Sequence, residues 1–481
     1  MKKTGPFLAA SILSVTSFVV TPNPNPGLAG PENTFKIVVV GWGLSSRCEG
    51  QSDTACAIYR GAMAALHSDT FSKTLTDLHL EPRLNCKGDG YEDKSQPAAH
   101  AILQLACADD KGDPALAAMR ARELVTDPAT LIVIGHSITG TTRAAIRTYT
   151  QAGVPVILPA ATSLMATCPP HSPFLGWLGW LDPDFAEAPS STAFRIIPND
   201  RDGQVPAMLY ALNHILHKPS KDVFVVADTR GNNKDYAVPL AERVAARLMS
   251  HPSPCVPKNK CAVIDEHGTT RDLEQGKTLG DYLTAAKAIV YAGTNRGAEP
   301  FLKENTAALA GDGKEHFVLL ADGTKNTQLE DLKLPPNIHL LLTFPAPYLT
   351  EKDPDITPDQ HGLIKEATSN SNQSYEMYGF DAMLMIANAL KRSKLLDRRE
   401  LLSLLKKSLP FQGLDGDYYS MDNGENTYVR YSLYTNYLAE ASGKRDCTDP
   451  KPPTDAAISK TLQFTCTVGT QSLLRASQES F

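Results

Sequence analysis

"LIVIGHSITGTT", residues 131–142, runs a stretch of aliphatic residues into a glycine and follows it at once with a cluster of hydroxyls. A short continuous apolar run bounded by a turn reads as a strand buried on both faces. The Ser137, Thr139, Thr141 and Thr142 set suits a helix N-terminus, where side-chain oxygens cap free N–H groups. Two chemistries fit such a turn. Gly135-His136-Ser137 begins like the Gly-x-Ser-x-Gly elbow that exposes a nucleophilic serine, and the same turn can instead hold an anion on the helix's unpaired N–H groups. The elbow needs glycine at its last position because neighbouring backbone packs there, and this chain has Thr139. No His-Gly oxyanion segment precedes it, and a base would have to come from a scattered set that includes His267, His316 and His361. Ser137 as a hydrolase nucleophile is therefore the lesser alternative, and binding the leading one.

Similar units lie on both sides. "FKIVVVGW" at 35, "AILQLACADD" at 101 and "VPVILPAATS" at 154 form one series with the 130s strand. "DVFVVADT" at 222, "CAVIDEHG" at 261, "KAIVYAG" at 287, "HFVLLADG" at 316 and "NIHLLLTFP" at 337 form a second, after the break "RIIPNDRDGQ". Apolar strands alternating with helical patterns predict an α/β protein with two Rossmann-like lobes built on parallel sheets. The next strand, ending in "VILPAATS", places Ala160, Ala161 and Thr162 beside the Ser137–Thr139 turn, at the strand C-termini where open parallel sheets take ligands. Hydroxyls and N–H groups converging there favour a carboxylate. "GWGLSS" is a partial dinucleotide fingerprint, Gly41-x-Gly43-x-x-Ser46, without its third glycine, and the helical pattern resumes only near Thr54; it reads as a loop bordering a cleft, and no cofactor is expected.

Length and charge narrow the class. A chain of 481 residues exceeds one usual core, and a net charge of −6 without basic clusters argues against nucleic acid as partner. Residues 1–30 read as a signal peptide or N-terminal anchor: Lys2 and Lys3, then about fifteen largely apolar residues, then a Pro/Asn stretch, with cleavage expected after Ala29. The expected location is periplasmic or extracellular. Nine cysteines fit an oxidising compartment. Their spacing pairs Cys48 with Cys56, Cys86 with Cys107, Cys255 with Cys261 and Cys447 with Cys466, leaving Cys168; no C-x-x-C occurs, which disfavours zinc. Residues 167–191, rich in Pro, Gly and aromatics, read as an inserted surface loop, and 376–408 as helical packing with Met383 and Met385 in the core.

"YRGAMAAL", "LVTDPATLIVIGHSITGTTRAAIRTYTQAGVPVILPAATS", "FRIIPNDRDGQ", "VFVVADTRGNN", "AIVYAG", "YGFDAMLMIANAL" and "GLDGDYYSMDNG" stand in the order found in type I periplasmic binding proteins. From about residue 35 to 440 the chain resembles the branched-chain amino-acid receptors of ABC importers, the Leu/Ile/Val-binding proteins. The resemblance implies no enzymatic activity, but two lobes joined by three hinge crossings, near 196–199, 344–347 and 411–414, with the ligand cleft between them. Lobe 1 would comprise 34–197 and 346–412, and lobe 2 would comprise 198–345 and 413–440, followed by a disulfide-bearing extension, 441–481. It implies a carboxylate grip of Thr139, Ala160 and Thr162, with Ser137, Ile138 and Ala161 lining it. Asp322 would pair with a ligand ammonium, and Trp42 and Tyr375 would touch the ligand from the first lobe. Where the family carries aromatics this chain has Asn232 and Asn233, and Thr294. Those departures point to a ligand smaller or more polar than a branched-chain amino acid. The implied partners are a small amino acid or related carboxylate and the membrane permease of an ABC importer. A sensor protein served by a ligand-sensing module of the same fold remains the alternative.

Overall fold

The computed structural model describes, apart from short breaks, residues 34–86, 101–167, 191–249, 261–345, 375–435 and 463–469. The leader, the aromatic loop from 168 to 190 and the segments 87–100 and 346–374 lie outside the described residues.

The first sheet holds β1 (Thr34–Gly41), β2 (Leu80–Asn85), β3 (Ala101–Asp109), β4 (Thr130–Gly135), β5 (Val156–Leu158) and β6 (Ala193–Arg195), in the order β2-β3-β1-β4-β5-β6. Every pairing in it is parallel. The central strand β4 is buried at all six positions, as a sheet covered on both faces requires. The second sheet holds β7 (Val223–Asp228), β8 (Cys261–Ile264), β9 (Thr270–Arg271), β10 (Ala288–Ala292), β11 (His316–Leu320), β12 (Ile338–Phe344), β15 (Arg430–Thr435) and β16 (Gln463–Gly469). Its order is β16-β15-β12-β11-β10-β7-β8-β9, parallel in the middle and antiparallel at both edges. A small antiparallel hairpin, β13 (Phe411–Gly413) with β14 (Gly416–Tyr418), completes the strands described.

Helices cover both sheets: α1 (Thr54–Leu66), α2 (Asp69–Asp77), α3 (Pro114–Thr126), α4 (Thr139–Ala152), α5 (Val205–Tyr210), α6 (Lys234–Met249), α7 (Leu279–Ala285), α8 (Asn295–Ala310), α9 (Glu376–Leu390) and α10 (Arg398–Lys407). Helices α1 and α9 cross backbone against backbone. A β-carbon on Gly61 would lie 1.9 Å from the Glu376 carbonyl oxygen, and one on Gly379 would lie 2.1 Å from that of Ile58. Only glycine admits that approach, and it seats Tyr375, at the start of α9, beside the strand ends of the first sheet.

Three differences from the sequence reading concern edges. "LEPRLN", half exposed and polar, is an edge strand that apolar periodicity passes over, so the Ser137–Thr139 turn follows the fourth strand and Ala160–Thr162 the fifth. Residues 411–414 form β13 and its turn, where the Leu414 N–H donates to Asp381 of α9 at 2.8 Å; the chain joins the second sheet later, at β15. Strand β16, within the expected extension, pairs with β15 as the sheet's outermost strand.

The disulfides Cys48–Cys56 and Cys86–Cys107 are formed. Cys261 is also disulfide-bonded, while Cys168, Cys255 and Cys447 lie outside the described residues, and of Cys466 only its strand is described.

Candidate functional site

A cleft opens between the C-terminal ends of the two sheets, lined from the first by Trp42, Ser137, Ile138, Thr139, Ala160 and Thr162 and from the second by Asn233, Tyr236, Thr294, Arg296 and Asp322, with Tyr375 beside them.

The first wall is backbone and hydroxyl. Gly135 ends β4 with a φ of 132°, and a β-carbon there would sit 2.2 Å from the Val40 carbonyl oxygen, so only glycine lets the chain turn this close to β1. His136 points away from the cleft. It is fully buried, its Nδ1 2.7 Å from Asp110 and its Nε2 3.2 Å from the Tyr149 hydroxyl. Both ring nitrogens are thus committed behind the turn, and no histidine lines the cleft among the described residues. Ser137 has no base beside it; its Oγ accepts from the backbone N–H of Trp42 at 3.4 Å. Helix α4 then starts with no side-chain cap, leaving its first N–H groups without intrahelical acceptors at the place where Thr139 faces the cleft. Thr162 stands on the neighbouring strand end, and its carbonyl accepts the Asp200 N–H at 2.9 Å.

The second wall carries ionisable side chains. Asp322, buried in the first turn after β11, accepts from the Tyr236 hydroxyl and, at 2.8 Å, from the Gly323 N–H. Burial and the charge of nearby Asp200 push its carboxyl up to about 7. Asp200 is equally buried. Burial lifts it to about 6, offset in part by the Thr162 hydroxyl, Arg243 and Arg195. A buried carboxyl lining the cleft, with a second acid close behind it, favours a cationic group at Asp322.

The walls meet. The Arg296 guanidinium stacks on the Trp42 ring, and Arg143 of α4 pairs with Asp235 of α6 at 3.4 Å. A β-carbon on Gly140 would approach Asp235 to 3.4 Å. Two half-open sheets facing each other in this way, each with the ligand edge inward, define the architecture. This is the fold of the type I periplasmic binding proteins. A leucine-binding protein from Thermotoga maritima superposes with a TM-score of 0.58 at 16% identity, over 90% of this chain and 98% of that one. The branched-chain amino acid transporter substrate-binding protein from Streptococcus pneumoniae, solved with isoleucine, gives 0.53 at 18% identity, over 84% and 95%. In sequence the chain is 23% identical over 340 residues to Leu/Ile/Val-binding protein homolog 1 of Brucella melitensis, covering 69% of this chain and 78% of that protein. No family model matches.

On this periplasmic binding protein frame, nine of the eleven residues singled out from sequence line the cleft: Trp42, Ser137, Ile138, Thr139, Ala160, Thr162, Thr294, Asp322 and Tyr375. Two do not. Ala161 turns its carbonyl to the Arg195 guanidinium, and Asn232 adopts a left-handed φ of 60°, which brings Asn233 into the lining instead. Sequence reasoning missed Tyr236, Arg296 and Asp200. Tyr236, in the first turn of α6, brings an aromatic to this wall. The signal for Asp200 was present in "RIIPNDRDGQ", whose acid follows directly on the segment joining the lobes.

Proposed function

We propose that the protein is an extracytoplasmic solute-binding protein that captures a small carboxylate-bearing ligand, an amino acid, by closure of its two lobes, and passes it to the permease of an ABC importer. It performs no chemistry on the ligand. The observation that carries this reading is the opposition, across one cleft, of a donor-rich wall at Ser137–Thr139 and Ala160–Thr162 and an acidic wall at Asp322. A carboxylate takes the N–H and hydroxyl donors of the first, each charge-assisted bond contributing about 1.5–3 kcal/mol, and an ammonium takes the acid of the second. Ser137, Thr139, Thr162 and Asp322 are the residues assigned to contact; Ile138, Ala160, Trp42, Thr294 and Tyr375 shape the space. Micromolar capture corresponds to about 8 kcal/mol, within reach of these groups after the cost of ordering the ligand.

Closure turns on the segments that run between the sheets, 196–199 among them. Contacts from both walls stabilise the closed form, and a membrane partner reads that shift in population. Export is supported by the leader-like N-terminus and by the disulfides at Cys48–Cys56 and Cys86–Cys107. A thermal-shift screen of the purified protein against amino acids, small amides and simple carboxylates tests the reading, because a ligand that binds only the folded state raises the melting temperature. A shift with α-amino acids is expected. A response confined to uncharged compounds, with every carboxylate silent, rejects it.

A further inference from the structure

We infer that the cleft selects an acidic amino acid, with Asn233 and the Arg296 end of α8 receiving its side-chain carboxylate. The inference rests on the proposed function and adds the class of substrate. With the ligand's α-carboxylate on the first wall and its ammonium at Asp322, the side chain extends toward the remaining part of the cleft, and that part is built of donors. Asn233 is 2% exposed, lines the cleft, and its amide nitrogen has no hydrogen-bond partner among the described residues. A buried amide in that state calls for an acceptor. Beside it α8 opens into the cleft: its N-cap residue Thr294 makes no side-chain cap bond, and the helix runs for 16 residues. The N–H groups of Asn295 and Arg296 therefore start the helix without intrahelical acceptors.

Arg296 adds a full positive charge at the cleft mouth. Its guanidinium lies over the Trp42 ring. A carboxylate satisfies a buried amide and a helix N-terminus together, beside a positive charge. Hydrocarbon satisfies neither. Ile138 is the one aliphatic side chain larger than alanine among the described lining residues, and it belongs to the first wall. A leucine or isoleucine side chain placed here would cover Asn233 without replacing its lost water.

Titration calorimetry of the full chain with L-aspartate, L-glutamate, L-alanine, L-leucine and L-isoleucine decides the matter. One of the two acids is expected to bind about tenfold or more tightly than leucine. Arg296→Gln should reduce that affinity by about tenfold beyond any change for alanine, Arg296→Lys should restore part of it, and Asn233→Ala should weaken it independently. Thermal melts of each variant establish that it folds. Tighter binding of leucine or isoleucine than of either acid overturns the inference and leaves the proposed function standing. Acid binding indifferent to both Arg296→Gln and Asn233→Ala overturns it as well. Failure of every amino acid to bind removes the proposed function, and this inference with it.

Discussion

The two walls of the cleft are made differently. The first presents backbone N–H groups and short hydroxyls at the ends of β4 and β5, braced from behind by the Asp110–His136–Tyr149 chain. The second presents long or charged side chains, Asp322, Tyr236 and Arg296, on the opening turns after β7, β10 and β11. A wall of backbone donors recognises what all carboxylates share. A wall of side chains changes with each substitution and can tell one ligand from another. Under the proposed function, grip falls to the first wall and choice to the second.

Five experiments strain that division, and the largest effect is expected where the first wall is anchored. Arg195 is fully buried, paired with Glu425 at 2.8 Å and bonded to the Ala161 carbonyl. Arg195→Ala strands the acid and the carbonyl together and should cost about 3–5 kcal/mol of stability, read as a lower midpoint in denaturant melts. On the second wall, Asp322→Asn keeps the shape and removes the charge. It should weaken binding of an α-amino acid by about 2–5 kcal/mol while a simple carboxylate, which has no ammonium, loses far less. Equal losses for both would merge the two roles.

Thr139→Ala removes one donor of the grip, and calorimetry should find about 1–3 kcal/mol lost for every carboxylate tested, with Ser137→Ala the milder change. Acidity probes the second wall again. Asp322 and Asp200 titrate near 7 and 6 in the folded protein against an ordinary 3.8, so the folded state holds protons that the unfolded chain has already released. The empty protein is then most stable at the acid end of the window from about pH 4 to 7 and loses stability as pH rises through it. An ammonium favours the ionised acids, so amino-acid affinity should climb from pH 5 to 8 by up to about 1.4 kcal/mol per pH unit and per proton released. Flat affinity across that range would deny the acids contact with the ligand. The smallest effect belongs to the pair that bridges the walls. Arg143 and Asp235 are each about a third exposed, and Arg143→Ala should change affinity by less than about 1 kcal/mol, fading with added salt.

Much of the first wall was legible in sequence because its chemistry is carried by position. A strand end followed by hydroxyls declares both its place and its donors, and Ser137, Thr139 and Thr162 all face the cleft. The second wall resisted, because side chains enter it from helix turns whose phase depends on a single residue. Asn232 takes the left-handed turn and Asn233 the site, a one-residue shift that no periodicity reveals. Asp200 was hidden for another reason. Its burial among acids and tyrosines is a tertiary fact, whereas in sequence it stands in a polar run that reads as a break. The strand β2 escaped by composition, being too polar to announce itself.

Arg195 deserves a mechanical reading. Its guanidinium ties the 161 carbonyl to Glu425, the N–H of Asp200 ties the 162 carbonyl to the far end of the same segment, and Asn426 bonds to the Ile196 carbonyl at 2.7 Å. Under the proposed function, the segment on which the halves bend is thus riveted to the floor of the carboxylate seat. On that reading, rotation of one half cannot leave the seat undisturbed, and arrival of a guest and swing of the frame become a single movement.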